Sequence, residues 1–121
     1  ALGVAPERVF KTLLVDTDAG LAVGIVPVDR QLDLKAVASA LRVKRAVMAE
    51  PAVAERSTGY VVGGISPIGQ KRRLPTVLDA SANTHATVFV SGGRRGLDVE
   101  LAPEDLARAC AAALAPISRT R

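Results

Sequence analysis

Residues 9–28 contain two largely apolar segments separated by a short polar one, the pattern of a β-hairpin. A strand over 9–15 is followed by turn-forming residues over 16–20 and by a second apolar run over 21–28. On the first strand, Lys11 shares one face with the apolar residues Val9, Leu13 and Val15. A lysine in such a place either extends to water or enters a cleft and pairs with an anion.

Helices and short strands are predicted after the hairpin. The predicted helices cover 34–42 (capped by Asp33), 51–56 (ended by Gly59) and 103–114 (stopped by Pro116). The predicted strands cover 45–48, 60–62, 74–78, 86–90 and 97–101, with a loop over 79–84 and a frayed tail over 116–121. Because helices and strands do not alternate strictly, we expect an α/β (α+β) fold with a mixed, barrel-like sheet flanked by helices.

Two glycine-rich segments stand beside clusters of cations. The first segment, Gly63-Gly64-Ile65-Ser66-Pro67, is followed by Lys71-Arg72-Arg73, and the second is Ser91-Gly92-Gly93-Arg94-Arg95-Gly96. Glycine permits close backbone approach and proline fixes φ, so the first segment is predicted to be a stiff loop that exposes main-chain groups. Such a loop beside cations suits a ligand with a small neutral end and a phosphate end.

The composition predicts one domain over residues 1–121 with an aliphatic core. Hydrophobic residues make up 49 % of the chain and aromatic residues only 2 %, which disfavours a base-stacking platform. A net charge of +4 favours an anionic partner, and a further basic pair lies at Lys44-Arg45. With one cysteine and no apolar run of membrane-spanning length, we expect a cytoplasmic protein without a membrane partner.

The usual catalytic and cofactor motifs are absent from the sequence. One His and one Cys cannot form a common zinc site, and neither glycine segment is a P-loop or a dinucleotide fingerprint, so no metal or cofactor is predicted. Ser66 lacks the nucleophile-elbow pattern, because Ile68 replaces the glycine and Pro67 has no N–H. We interpret His85 as a loop residue and Cys110 as a buried apolar one. Any catalysis should come from positioning and main-chain dipoles.

Four segments between Pro6 and Ala109 carry a family resemblance. They are 8–15 (RVFKTLLV), 31–35 (QLDLK), 56–71 (RSTGYVVGGISPIGQK) and 90–98 (VSGGRRGLD). They resemble the YbaK family, free-standing deacylases that hydrolyse cysteine mischarged on proline tRNA and are related to the editing domain of bacterial prolyl-tRNA synthetases. Family members begin earlier, with a helical segment that supplies a pocket tyrosine. We therefore expect 1–121 to be a single editing domain that lacks this segment.

The resemblance implies roles for individual residues. Lys11 would hold the phosphate near the terminal adenosine, the backbone of 63–67 would line the aminoacyl pocket, and Ser91 and Asp98 would complete it. The implied catalytic residues are Lys11, Gly63, Ser91 and Asp98. The implied substrate-binding residues are Gly64, Ile65, Ser66, Pro67, Gly92 and Gly93. Phosphates of the tRNA would be contacted by Lys71, Arg72, Arg73, Arg94 and Arg95.

The implied function is trans-editing of Cys-tRNA(Pro), in which the thiol of the substrate attacks its own ester. Cysteine and proline are similar in volume, and a binding pocket separates such side chains by only about 1–3 kcal/mol, so a second site is needed. Prolyl-tRNA synthetase is an expected partner that lends tRNA selectivity. Three alternatives remain: editing of another small amino acid such as alanine, a non-catalytic tRNA- or nucleotide-binding module, and a domain that docks on a synthetase.

Overall fold

A five-stranded sheet forms the centre of the computed structural model, which describes residues 3–61, 64–71 and 73–121. Its strands are, in spatial order, β4 (Ala46–Met48), β1 (Phe10–Thr17), β2 (Gly20–Pro27), β5 (Thr76–Asp79) and β8 (Ala113–Ala115). β1 runs antiparallel to both neighbours, whereas β5 runs parallel to β2 and to β8. The predicted mixed sheet is confirmed. The described strands leave it open at β4 and β8, so it is not a closed barrel.

Two short ribbons and three α-helices complete the described structure. The ribbons pair β3 (Arg30–Leu32) with β9 (Ser118–Thr120) and β6 (Val88–Ser91) with β7 (Asp98–Leu101). The helices are α1 (Leu34–Leu41), α2 (Pro51–Thr58) and α3 (Pro103–Cys110), and single 3-10 turns cover Pro6–Arg8 and Ala80–Thr84. No helix in the described part of the chain is both long and apolar enough to cross a membrane.

The alternation along β1 and β2 produces a separate apolar core on each side of the sheet. On one side, Phe10 and Leu14 pack with residues of α2, α3 and β6, such as Leu106. On the other side, Val15 packs with Val37 of α1 and with residues near the C-terminus. Because successive side chains of a strand point to opposite faces, the two-residue period of the sequence builds both cores at once.

The predicted hairpin and helix boundaries are largely confirmed. The hairpin closes at Thr17 opposite Gly20. The Asp33 carboxylate accepts a hydrogen bond from the Ala36 N–H at 3.1 Å, as a helix N-cap should. Gly59 ends α2 with φ of +83°, the left-handed conformation that glycine adopts without strain.

The predicted strand over 60–62 and the predicted loop over 79–84 differ from the structure. Tyr60 and Val61 lie outside any strand, and Val62 is outside the described residues. The segment after β5 winds into a 3-10 turn, because the Asp79 side chain caps it through the Ser81 N–H.

The C-terminal region contradicts the sequence prediction. α3 ends at Cys110 rather than at 114, because Ala111 takes a left-handed φ of +51°. The tail is not frayed: Ile117 is fully buried and β9 pairs with β3, a strand that was not predicted. Neither three-residue segment has enough alternation to be recognised from the sequence, and each is paired with the other in the structure.

Asp79 explains why this tail is held in place. The residue is only 3 % exposed, and its carboxylate accepts the main-chain N–H of Ile117 at 2.8 Å. The Ser118 hydroxyl donates to the same carboxylate at 3.0 Å. A buried carboxylate persists when hydrogen bonds satisfy it, so the end of β5 fixes the chain that leads into β9.

We predict that Asp79→Ala lowers the free energy of unfolding by about 3 kcal/mol, because it leaves the buried Ile117 N–H without its acceptor. Urea denaturation monitored by circular dichroism measures the effect. Asp105→Ala is the control, since Asp105 forms only an exposed ion pair with Arg108 and should cost less than about 1 kcal/mol. Equal losses in the two variants would contradict this role for Asp79.

Candidate functional site

The candidate site lies along the edge of β1 that β2 does not cover, where part of β1 has no hydrogen-bonded strand partner among the described residues. β2 pairs with β1 along its whole length, but β4 pairs only with Val15–Thr17. Further along the same edge, the Ala49 N–H donates to the Leu14 carbonyl at 3.0 Å, and a single bridge joins Val9 to Phe89. In the described structure no strand forms a hydrogen-bonded ladder with the stretch between these two points, although β6 lies close to it, and this stretch lines a cavity.

The cavity has a volume of about 400 Å³, within the ordinary range for small-molecule sites. Its wall is mainly apolar and includes Phe10, Leu14, Met48, Ala54 and Ile65. Its polar groups come from Lys11, Thr12, Ser91 and Asp98. An apolar wall with a few convergent polar groups is the usual composition of a ligand pocket.

Four of the residues predicted for the site meet in this cavity. Lys11 comes from β1, Ile65 from the first glycine segment, and Ser91 and Asp98 from β6 and β7. Ser91 and Asp98 are direct partners in the β6–β7 register, so their side chains emerge on the same face. Residues far apart in sequence are thus brought to one wall by strand pairing.

Thr12 is a polar lining residue that was not predicted to belong to the site. Its side chain is 7 % exposed, and its hydroxyl has no hydrogen-bond partner among the described residues. A buried hydroxyl without a partner costs about 1–3 kcal/mol, which a ligand in the cavity would recover.

The main chain of Thr12 also faces the gap. The Val28 N–H donates to the Val9 carbonyl, so the main-chain N–H and C=O groups of the odd-numbered residues of β1 point towards β2. The main-chain groups of the even-numbered residues point to the other edge, as the bond from the Ala49 N–H to the Leu14 carbonyl shows. The N–H and C=O of Thr12 therefore point to the side on which the cavity lies.

The two glycine-rich segments touch through their backbones. A Cβ atom on Gly64 would lie 2.8 Å from the Arg94 Cα, so only glycine permits this approach. Tyr60 completes the contact: its hydroxyl donates to the Ile68 carbonyl at 2.8 Å, and its ring lies against Gly93. The first segment is thereby fixed against the second, and Ile65 is held at the cavity wall.

Other residues predicted to bind the substrate lie off the cavity wall. The Gly64 N–H is already used by the Val61 carbonyl at 2.9 Å. The Ser66 hydroxyl accepts from the Ile68 N–H at 3.2 Å, and the Pro67 carbonyl accepts from the Cys110 thiol at 3.2 Å. Gly92 packs against Leu97. These residues shape the loops, and any direct contact with a substrate stays a prediction.

The cations predicted to bind tRNA are exposed where they are described. They are Lys71, Arg73, Arg94 and Arg95, and all four lie on the two glycine-rich segments or directly after them. Gly63 and Arg72 lie outside the described residues.

Among the residues that the structure describes, no serine–histidine pair lines the cavity. Ser66 is buried in its own turn, and the His85 N–H caps the 3-10 turn by donating to the Ala82 carbonyl. Burial raises the pKa of the Cys110 thiol, which keeps that side chain protonated. No group of three or more His, Cys, Asp or Glu residues that could hold a metal occurs in the described ranges.

The Lys11 side chain is partly desolvated and is repelled by a second cation, Arg121. Burial lowers its pKa, and repulsion from Arg121 lowers it further, while Asp29 opposes both effects. Arg121 donates to the carbonyl of Val28 at 3.0 Å, and Val28 itself lines the cavity. The β3–β9 ribbon therefore brings a second cation near Lys11, which could not be expected from a tail predicted to be frayed.

We predict that Lys11 titrates below 10.5, the value of an ordinary lysine, and that Arg121→Gln raises its pKa by removing a repelling charge. The positive charge of Lys11, and with it the affinity for a phosphate, is then lost at a lower pH than for an ordinary lysine. NMR titration of the lysine Cε–H signals measures this. Arg119→Gln is the control two residues away. A Lys11 pKa that is unchanged by Arg121→Gln would contradict the proximity of the two cations.

Comparisons with known proteins identify the family of the chain. Residues 1–109 match the family model of the aminoacyl-tRNA editing domain. The chain is 42 % identical over 105 residues to a candidate Cys-tRNA(Pro)/Cys-tRNA(Cys) deacylase, EbsC, of Enterococcus faecalis (strain ATCC 700802 / V583), and this match covers 86 % of the chain and 64 % of that protein. It is 32 % identical over 68 residues to a proline–tRNA ligase of Moorella thermoacetica (strain ATCC 39073 / JCM 9320), covering 56 % of the chain and 12 % of the ligase.

A solved structure shares the fold. The crystal structure of a candidate trans-editing enzyme for prolyl tRNA synthetase superposes with a TM-score of 0.89 at 23 % identity, covering 98 % of this chain and 74 % of that one. The chain spans less than two thirds of the length of the two curated relatives above. The family match extends over most of the chain and includes every segment that lines the cavity. The chain therefore belongs to the aminoacyl-tRNA editing domain family, which confirms its resemblance to the YbaK family.

Proposed function

We propose that the chain is a trans-editing deacylase that hydrolyses cysteine from Cys-tRNA(Pro). The observation that carries this proposal is the convergence of Lys11, Ile65, Ser91 and Asp98 on one cavity at the open edge of β1. The names of the relatives point to the same substrate class, since EbsC is named for Cys-tRNA(Pro) and Cys-tRNA(Cys).

The cavity offers a complementary group for each part of an aminoacyl-adenosine. The apolar wall around Met48, Ala54 and Ile65 suits a small, weakly polar side chain such as that of cysteine. The Asp98 carboxylate suits the α-ammonium group of the amino acid, and the Lys11 ammonium suits the phosphate that precedes the terminal adenosine. A charged group at each end of the site would orient the ester between them.

The reaction itself requires no nucleophile from the protein. The substrate sulfur attacks the carbonyl carbon of its own ester, a C–S bond forms and the C–O bond to the ribose breaks. The thiol proton passes to the ribose oxygen, and the amino acid leaves as a cyclic thioester that water opens. The protein contributes by holding the side chain close to the carbonyl and by excluding other conformations.

Thr12 is the best-placed group for the ester oxygen. Its hydroxyl is buried without a partner, and its main-chain groups face the same gap. Donors that are already fixed and desolvated stabilise a developing oxyanion more than donors that must reorganise. The implied role of the 63–67 backbone in lining the aminoacyl pocket is not extended to the ester oxygen, since the Gly64 N–H is occupied.

Binding of the RNA beyond its last nucleotide is assigned to the exposed cations of the glycine-rich segments. Such contacts with phosphates position the substrate and make binding salt-dependent, without reading sequence. Selectivity for proline tRNA would then come from prolyl-tRNA synthetase as a partner. The support for this partner is the 68-residue similarity to a proline–tRNA ligase.

We predict that Lys11→Met lowers kcat/KM for Cys-tRNA(Pro) by about 10- to 100-fold, the value of one charge-assisted hydrogen bond to a phosphate. Methionine keeps the apolar stem of lysine beside Leu13, so the fold should be retained. Release of labelled cysteine measures the rate, and Lys11→Arg, which keeps the charge, should lose less. Equal rates for wild type and Lys11→Met would remove Lys11 from the site.

The same assay separates the alternatives. A mechanism that depends on the substrate thiol releases cysteine but spares alanine on the same tRNA, whereas an alanine-editing enzyme does the reverse. A non-catalytic module binds tRNA in a salt-sensitive manner and releases neither amino acid. A domain that docks on a synthetase binds that protein without tRNA.

A further inference from the structure

A second concave region, the α1–β4 hollow, lies between α1 and the loop that leads into β4. It has a volume of about 400 Å³, and its lining includes Leu34, Val43, Lys35, Lys44 and Arg45. The three cations come from two different elements and converge on one depression. No carboxylate occurs among the described residues that line it.

The main chain of this loop is fixed independently of its basic side chains. α1 ends at Arg42 with a left-handed φ of +59°, and the Val43 N–H donates to the Ala38 carbonyl at 2.9 Å. The Asp18 carboxylate then accepts the main-chain N–H groups of Lys44 and Arg45, each at 3.0 Å. These hydrogen bonds lower the pKa of Asp18, with the bond from Arg45 as the largest cause.

The three cations of the hollow are not used elsewhere in the described structure. Two ion pairs join described residues elsewhere, Arg8–Glu100 and Arg108–Asp105, and neither includes a cation of the hollow. Asp18 offsets part of the charge of Arg45, but its carboxylate is directed at the main chain. Like charges collected in one depression repel one another, and an anion of matching charge relieves that repulsion.

The hollow is connected to the cavity by β4. Arg45 precedes this strand, and Met48 at its end lines the cavity. At about 3.3 Å per residue, the two positions are roughly 10 Å apart along the strand. A nucleic-acid strand that rises about 3.4 Å per nucleotide covers this distance in about three nucleotides.

We propose that the α1–β4 hollow binds backbone phosphates of the tRNA next to its acceptor end, so that the RNA lies across β4 while its last nucleotide occupies the cavity. The proposal rests on the proposed function, because it takes tRNA as the substrate. It assigns Lys35, Lys44 and Arg45 to phosphate contacts. RNA is favoured over an acidic protein because the hollow is concave and directly continues the path from the cavity.

The test compares two double variants with the same change of net charge. Lys44→Gln/Arg45→Gln removes two cations of the hollow, whereas Arg108→Gln/Arg119→Gln removes two from α3 and β9, which line neither the hollow nor the cavity. The Asp18 bonds go to the main chain, so the first variant should keep its fold. Urea denaturation verifies this for both variants.

The first measurement is the affinity for uncharged tRNA as a function of salt. We expect the Lys44→Gln/Arg45→Gln variant to bind about 10-fold more weakly at low salt, and the slope of log affinity against log salt to fall by about 1.5 to 2. The control variant should stay close to wild type. Equal affinities and slopes for the two variants would overturn the proposal, even if the wild type proved to release no amino acid.

The second measurement separates the hollow from the catalytic cavity. The Lys44→Gln/Arg45→Gln variant should show a KM about 10-fold higher for Cys-tRNA(Pro), but unchanged kinetics with cysteine esterified to adenosine 5′-monophosphate, which contains only the terminal nucleotide and ends at the cavity. A loss with both substrates would overturn the proposal. A variant that keeps its tRNA affinity but loses affinity for prolyl-tRNA synthetase would assign the hollow to a protein partner instead.

Discussion

The incomplete pairing of β1 is the constraint on which the site depends. β2 satisfies one edge of this strand along its whole length, while β4 covers only its last residues on the other edge. A bare strand edge has main-chain groups that need partners. Here the gap is enclosed by α2, by the β6–β7 ribbon and by Ile65, so that it becomes a cavity rather than an aggregation-prone edge. The same strand supplies Lys11 and Thr12 on opposite faces, and both reach this cavity.

The rest of the fold fixes the positions of the elements that surround this gap. The two apolar cores hold the β1–β2 hairpin from both sides. Backbone contact between Gly64 and Arg94 fixes one glycine-rich segment against the other, and Asp79 fixes the chain that leads to β9. The ribbon with β3 then places Arg121 near Lys11. Structural features distant from the cavity therefore determine its charge as well as its shape.

Much of the fold could be predicted because the signals were local. The hairpin follows from two apolar runs joined by turn-forming residues, the start of α1 from the Asp33 cap, and the end of α2 from Gly59. The tail could not be predicted in the same way. β3 and β9 are three residues each, and their pairing depends on Ala111 turning the chain and on a carboxylate 38 residues away from Ile117.

The candidate site, like the fold, could be predicted from the sequence only in part. Lys11, Ser91 and Asp98 were expected from the family resemblance, and strand register brings the last two together. Successive residues of a strand point to opposite faces, so Thr12 and Lys11 lie on different faces of β1, and only the structure shows that both line one cavity. An unsatisfied hydroxyl is a property of packing, which no sequence pattern reveals.

The measurement that tests the central role of this gap most directly is a comparison of stability and activity in Thr12→Val. Valine fills the same space and removes a buried hydroxyl that has no partner in the described structure. The free energy of unfolding should be unchanged or higher by about 1 kcal/mol, while the rate of cysteine release falls by about 10-fold or more. A variant that is equally stable and fully active would show that the open edge of β1 does not hold the reacting ester.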